Sequence, residues 1–214
     1  MKAFVGTLVH TPTTSSKTVA SNPSNLISIL LYHCIIINNN GSIVHLGPSS
    51  SFSEALKSHP VAQDQIHHLS PKQFLIPGFI DCHIHAPQYS FTGTRTDLPL
   101  FQWLKTYTFP SEAQLQDLNL ARKVYTAVVK RLLSLGTTTA AYFTTLHQEP
   151  CEVLVDVVHE LGQRAVLGKV SMDQHSPEGY IEGTRDGLRA AAEVAEYVKV
   201  SCSKRRGKGL SGSV

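Results

Sequence analysis

Apolar and polar positions follow two different patterns along the chain. Up to about residue 74 the apolar runs are short and rich in β-formers. Residues 2–10 predict one strand, and residues 30–37 and 42–46 predict two more, joined by Asn38-Asn39-Asn40-Gly41. Asn-Gly predicts a tight hairpin, because both central positions of that turn need positive φ. Residues 53–57 suggest a helical turn, and residues 67–74 a further strand. Residues 11–25 are rich in Ser, Thr, Asn and Pro and predict a loop. Residues 1–74 are thus expected to form a small β-module.

After Pro77-Gly78 the period changes. Residues 79–85 form a short apolar strand, followed by a long proline-containing segment, 86–116. Leu120, Val124, Val128 and Leu132 then repeat every fourth residue, with Gly136 placed to end a helix. Residues 137–145 are β-rich. Pro150 suits the first turn of a second helix, with Leu154, Val157, Val158 and Leu161 on one face and Gly162 beyond it. Residues 164–172 predict a third strand and 188–198 an Ala-rich helix. Alternating strands and helices predict an α/β fold: a parallel sheet with helices packed outside it. A barrel of eight such units takes about 250 residues. Residues 75–200 supply about three units, so either the sheet is open or the chain is a piece of something longer. Residues 201–214 show no periodicity and predict a disordered tail that diverges from its parent fold near Lys199, through splicing, intron read-through or a gene-model error.

Composition narrows the classes. With 42% hydrophobic and 16% charged residues, the 214-residue chain can bury a core. No apolar run approaches the roughly 18 residues that span a bilayer, so no membrane partner is expected. The net charge of +3 comes from the last fourteen residues, which hold four bases and no acid; the body gives no reason to expect nucleic-acid binding. Four widely spaced cysteines form no CxxC, which favours a reducing, cytoplasmic setting over a disulfide framework.

The chemistry concentrates in Pro77-Gly78-Phe79-Ile80-Asp81-Cys82-His83-Ile84-His85-Ala86-Pro87-Gln88. Strand alternation places Phe79, Asp81, His83 and His85 on one face, and Ile80, Cys82 and Ile84 on the other, against the helices. The first face turns polar at its C-terminal end, where parallel-barrel sites sit. Two imidazoles at i and i+2 can reach one ion, and neutral imidazole suits zinc at about 2.0–2.1 Å. A bare HxH pair is as readily incidental as ligating. The preceding Pro-Gly, the aspartate two residues earlier and the strand-to-loop position tip the balance toward metal.

This segment resembles the first barrel strand of the amidohydrolase superfamily. The blocks HAPQYSFTGTRTDLPLFQWLKTYTFPSE, GTTTAAYFTTLH and GQRAVLGKVSMD are similar to the guanine deaminase family within it. The resemblance implies the N-terminal part of a (β/α)8 TIM-like barrel with a flanking β-module, one Zn²⁺ per subunit and a homodimer in the full-length family. It also implies hydrolytic deamination of guanine to xanthine and ammonia. His83 and His85 match the first two zinc ligands, and His85 and Gln88 match positions near the purine. The remaining ligands, the proton-shuttling glutamate and a base-holding arginine match nothing here, so the catalytic residues are unknown and this chain is expected to have little or no activity.

Several polar residues carry a plainer expectation. Asp81 is expected to support the site or pack a layer rather than ligate. Lys169 is expected to be structural or on the surface, and His147 on the surface. Asp173, His175 and Glu178 match no catalytic motif. His67-His68 receives no role, and Trp103, Tyr107 and Phe109 divide evenly between pocket and ordinary packing. Two alternatives stay open: a non-catalytic fragment that pairs with full-length subunits, and an amidohydrolase acting on another ring.

Overall fold

The computed structural model describes residues 1–11 and 27–206; of the predicted 11–25 loop, only Thr11 lies among them. The chain divides into two compact units, Met1–Pro77 and Gly78–Val214.

The first unit is a five-stranded sheet. Strand β1 (Lys2–His10) pairs antiparallel with β2 (Ser28–Ile37), which pairs antiparallel with β3 (Ile43–Pro48). Helix α1 (Phe52–Ser58) follows. The chain then returns to β1 in parallel through β4 (Ile66–His68) and β5 (Phe74–Leu75). The single strand expected over 67–74 is therefore two short ones, separated by a turn in which Gln73 N–H bonds to Ser70 C=O. Ala3, Ile36 and Ala55 are the buried centre of this unit, flanked by Phe52, Leu56 and Ile66.

The β2–β3 turn also differs from expectation. Asn38 C=O accepts the amide of Gly41, and Asn38 Oδ1 accepts the amides of Asn40 and Ser42. Only Gly41 has positive φ, at 80°. The side chain of Asn38 thus stabilises a turn with a single left-handed glycine after it, in place of two left-handed central residues.

The second unit holds three parallel strands in the order β6 (Phe79–His85), β7 (Thr137–Phe143), β8 (Arg164–Gly168). Between β6 and β7, residues 86–116 are largely helical: a 3₁₀ turn over Ala86–Phe91, then α2 (Leu100–Trp103), a wide π turn (Leu104–Thr108) and α3 (Phe109–Gln114). The prolines misled the pattern here, since Pro110 occupies the first turn of α3, where its missing N–H costs nothing. Helix α4 (Leu118–Ser134) starts at Asp117, whose carboxylate caps the amides of Asn119 and Leu120. Its buried stripe runs through Ala121, Tyr125, Val128 and Val129, with Leu120, Val124 and Leu132 at the margins. Helix α5 (Gln148–Leu161) ends at left-handed Gly162, φ 74°, and buries Leu154, Val157 and Val158.

These two helices cover one face of the sheet, packing on Ala140, Tyr142 and Ala165. Gln163, 1% exposed, reinforces that side: its Oε1 accepts from Tyr142 Oη at 2.6 Å and its Nε2 donates to Thr137 C=O at 2.9 Å. The opposite face is open, leaving Ile80 68% and Val166 69% exposed. Strand β8 stops at Gly168, four residues short of the expected end, and α6 (Thr184–Arg206) runs six residues past the expected boundary at Val200. Among the described residues no helix is long and apolar enough to cross a membrane.

Candidate metal centre

Strand β6 is not a regular alternating strand. Asp81 pairs with Ala140, but Ile84 pairs with Tyr142, so three steps on β6 match two on β7. The extra residue is a β-bulge, and it shifts the phase of every side chain beyond it. Asp81 and Ile84 stand opposite the two buried, helix-side residues of β7. Ile80, expected against the helices, stands opposite Thr139 on the open face and is exposed. Cys82 is exposed as well, and of the three residues expected to pack on the helices only Ile84 joins the core. Asp81 Oδ1 accepts the backbone amide of His83 at 3.0 Å. The aspartate thus acts through the backbone, satisfying an amide that the bulge takes out of the ladder.

Beyond the bulge, His85 pairs with Phe143 on the open face. Its ring stacks on Phe143 with centroids 5.1 Å apart, and the His83 ring lies 4.3 Å from the same phenyl. This shared phenyl support brings the two imidazoles together, with Nε2 atoms 3.1 Å apart. At the 2.0–2.1 Å typical of zinc–imidazole bonds, that separation subtends about 95–100° at a common ion, close to a tetrahedral angle. By that separation the two nitrogens suit two positions around one zinc ion, and with neutral rings they can equally share a hydrogen bond. Burial, and secondarily the neighbouring His83, lowers the pKa of His85, favouring the neutral form that ligates. Among the described residues no group of three or more His, Cys, Asp or Glu side chains is arranged to hold a metal.

Gln88 lies in the 3₁₀ turn directly after β6, and its Nε2 faces Glu112 Oε1 of α3 at 3.4 Å. Glu112 is 3% exposed. Its second oxygen accepts a short hydrogen bond from Tyr180 Oη, which itself accepts the amide of Leu146 at 3.3 Å. Desolvation raises the Glu112 pKa, partly offset by the bonds from Tyr180 and Gln88. Glu112, which ends the quoted FPSE block, and Tyr180 received no role from the sequence; a glutamate two residues after a proline offers no local signal of burial.

The remaining candidates fall elsewhere. Lys169 follows β8 and is buried, its side chain 1% exposed, in a bidentate pair with Glu182 at 2.7 Å. This settles between the two expectations for it: it is structural and not on the surface. His147 precedes α5 without capping it and is half-buried, with Nε2 enclosed and unpartnered, which corrects its expected surface position. Asp173, His175 and Glu178 are exposed, and Asp173 accepts from Thr184 Oγ1 at 2.8 Å. Trp103 donates to Thr94 C=O and packs on Phe91, as does Tyr107, while Phe109 is buried against Tyr180. His67 stacks on Phe4 in the first unit.

Comparisons with known proteins show which family the chain belongs to. Over 206 residues the chain is 41% identical to a protein described as a probable guanine deaminase from Schizosaccharomyces pombe; the match covers 94% of this chain and 37% of that one. The structure of guanine deaminase from C. acetobutylicum, solved with guanine bound in its active site, superposes with a TM-score of 0.73 at 31% identity, covering 90% of this chain and 42% of that one. Atrazine chlorohydrolase from Arthrobacter aurescens, complexed with zinc, shares the fold with a TM-score of 0.60 at 16% identity, over 92% and 43% of the two chains. The chain thus spans about two fifths of the relatives it matches. Residues 74–207 match the model of the Amidohydrolase family over well over half of the chain. On that match, joined to the paired imidazoles at the end of a parallel strand, the chain belongs to the amidohydrolase family.

Proposed function

We propose that these residues form the first part of a zinc-dependent guanine deaminase, which replaces the exocyclic amino group of guanine with oxygen from water, giving xanthine and ammonia. The observation that carries the reading is the pair of imidazole nitrogens 3.1 Å apart on the open face of β6. His83 and His85 hold the metal, and His85 and Gln88 border the purine. Zinc supplies Lewis-acid activation of water when bound. The Gln88 amide carries both a donor and an acceptor, either of which can recognise the edge of a base. Similarity to guanine deaminases, including one solved with guanine, supports this substrate. The family resemblance further implies a homodimer at full length, and this chain's free cysteines suit a reducing cytosol.

Two imidazoles make an incomplete zinc set, since three protein ligands are usual at a catalytic site. The 214-residue chain alone is therefore expected to turn over guanine poorly. The reading is tested by a chimera in which residues 1–198 replace the matching part of the Schizosaccharomyces pombe relative. Guanine should be converted to xanthine, with loss of turnover in His83→Ala and in His85→Ala. A folded, zinc-loaded chimera that leaves guanine intact contradicts the assignment. A second reading, association with copies of itself or with full-length subunits, is favoured by the exposed Ile80 and Val166 on the open sheet.

A further inference from the structure

We propose that Glu112 is a positioning residue that fixes the orientation of the Gln88 side-chain amide, turning its NH₂ end toward the protein and its carbonyl oxygen toward the ligand. The proposal rests on the reading that Gln88 borders the substrate, and it assigns the site a defined polarity: an acceptor aimed at an N–H of the base.

The polarity follows from counting protons. Tyr180 has one hydroxyl proton. Its oxygen already accepts the Leu146 amide at 3.3 Å, and its proton goes to Glu112 Oε2. Glu112 Oε1 then remains for Gln88, 3.4 Å away. Gln88 Nε2 is the end of the amide that meets Glu112 Oε1, donating to it as an acceptor oxygen requires. The reverse orientation would set two oxygens against each other. The three side chains come from separate elements: Gln88 from the turn after β6, Glu112 from α3, and Tyr180 from the loop before α6. Thr145 holds the assembly from β7's end, its Oγ1 lying 3.3 Å from both the Glu112 carbonyl and Tyr180 Oη. Glu112 and Tyr180 are 3% and 2% exposed, so the support is enclosed, while Gln88 is only half-buried and keeps one side available. An amide with one end held by a buried carboxyl group is preorganised for recognition.

The test is NMR of the 214-residue chain, with the Gln88 NH₂ signals assigned by their loss in Gln88→Ala. In the unmodified chain, NOEs are expected from the Gln88 NH₂ protons to the Glu112 side chain, with solvent exchange slowed at least about tenfold relative to an exposed glutamine. In Glu112→Gln the NOEs to residue 112 and the slowing should both be lost, while Tyr180→Phe should keep the NOEs. Absence of the NOEs in the unmodified chain, or slow exchange that survives Glu112→Gln, overturns the proposal. The unmodified chain alone decides the matter if Glu112→Gln fails to fold. Guanine is scored separately on the zinc-loaded chimera with the Schizosaccharomyces pombe relative, by shifts of the Gln88 signals. A locked amide that ignores guanine strikes at the substrate reading and leaves the positioning role standing.

Discussion

Phe143 gives both imidazoles their common wall, with ring centroids 4.3 and 5.1 Å away. The cysteines show the opposite use of surroundings. Burial pushes the Cys151 thiol up to about 11, and Cys34 is also buried and raised, whereas Cys82 is exposed. A thiol-specific disulfide reagent at pH 8 should therefore modify Cys82 quickly, and Cys34 and Cys151 only on unfolding; mass mapping of the labelled sites checks this. Glu112 makes a second residue-scale prediction. Its folded-state pKa is raised by burial, so its contribution is most favourable while it is protonated and is lost as pH rises from its unfolded value through its folded one. Relative to Glu112→Gln, the native chain should lose stability as pH rises over that window in paired melting curves. An unchanged gap contradicts the assignment. At this scale the histidine pair was legible because its spacing and neighbours are local. The bulge was not, because its hydrogen-bond register depends on β7, more than fifty residues away in sequence.

Helices α4 and α5 were legible for a different reason: each carries its apolar repeat, and each ends at a glycine. Gly162 sits at φ 74° with open space where a Cβ would point. Gly162→Ala should thus cost about 1 kcal/mol through backbone strain alone, read as a lowered denaturation midpoint, and Gly162→Asn should cost less. The segment after β8 shows what periodicity cannot reveal. Lys169 and Glu182 lie thirteen residues apart with no repeat between them, yet form an enclosed ion pair, and Glu182 also accepts the Met172 amide at 3.3 Å. Lys169→Met should cost about 3–5 kcal/mol, because it strands a buried carboxylate. Adding Glu182→Leu should recover much of that loss; a double variant no better than the single would show that the pair is not the cause. Residues 100–114 were missed as helix because the segment divides among two short α-helical pieces and a π turn, too short for any one period to show.

The asymmetry of the three-stranded sheet dominates the second unit as a whole. One face is covered by α4 and α5; the other leaves Ile80 and Val166 about two-thirds exposed, and among the described residues β6 and β8 each pair only with β7. Unpaired edges and uncovered apolar faces favour association. Light scattering on the purified 214-residue chain should find dimers or larger species at micromolar concentration; a stable monomer counts against this. The parallel sheet and the positions of α4 and α5 were readable from the alternating pattern. Coverage of the second face was not, because no local pattern states what packs there. The metal pair on that face is the claim from which the functional reading starts. Its most direct measurement is a zinc titration of the ¹⁵N-histidine-labelled chain, observed through the imidazole nitrogens. The Nε2 signals of His83 and His85 should shift together, with one shared midpoint and saturation at one zinc per chain, and His85→Ala should remove or greatly weaken the response at His83. Independent midpoints, or a response from the other histidines ahead of this pair, would contradict it.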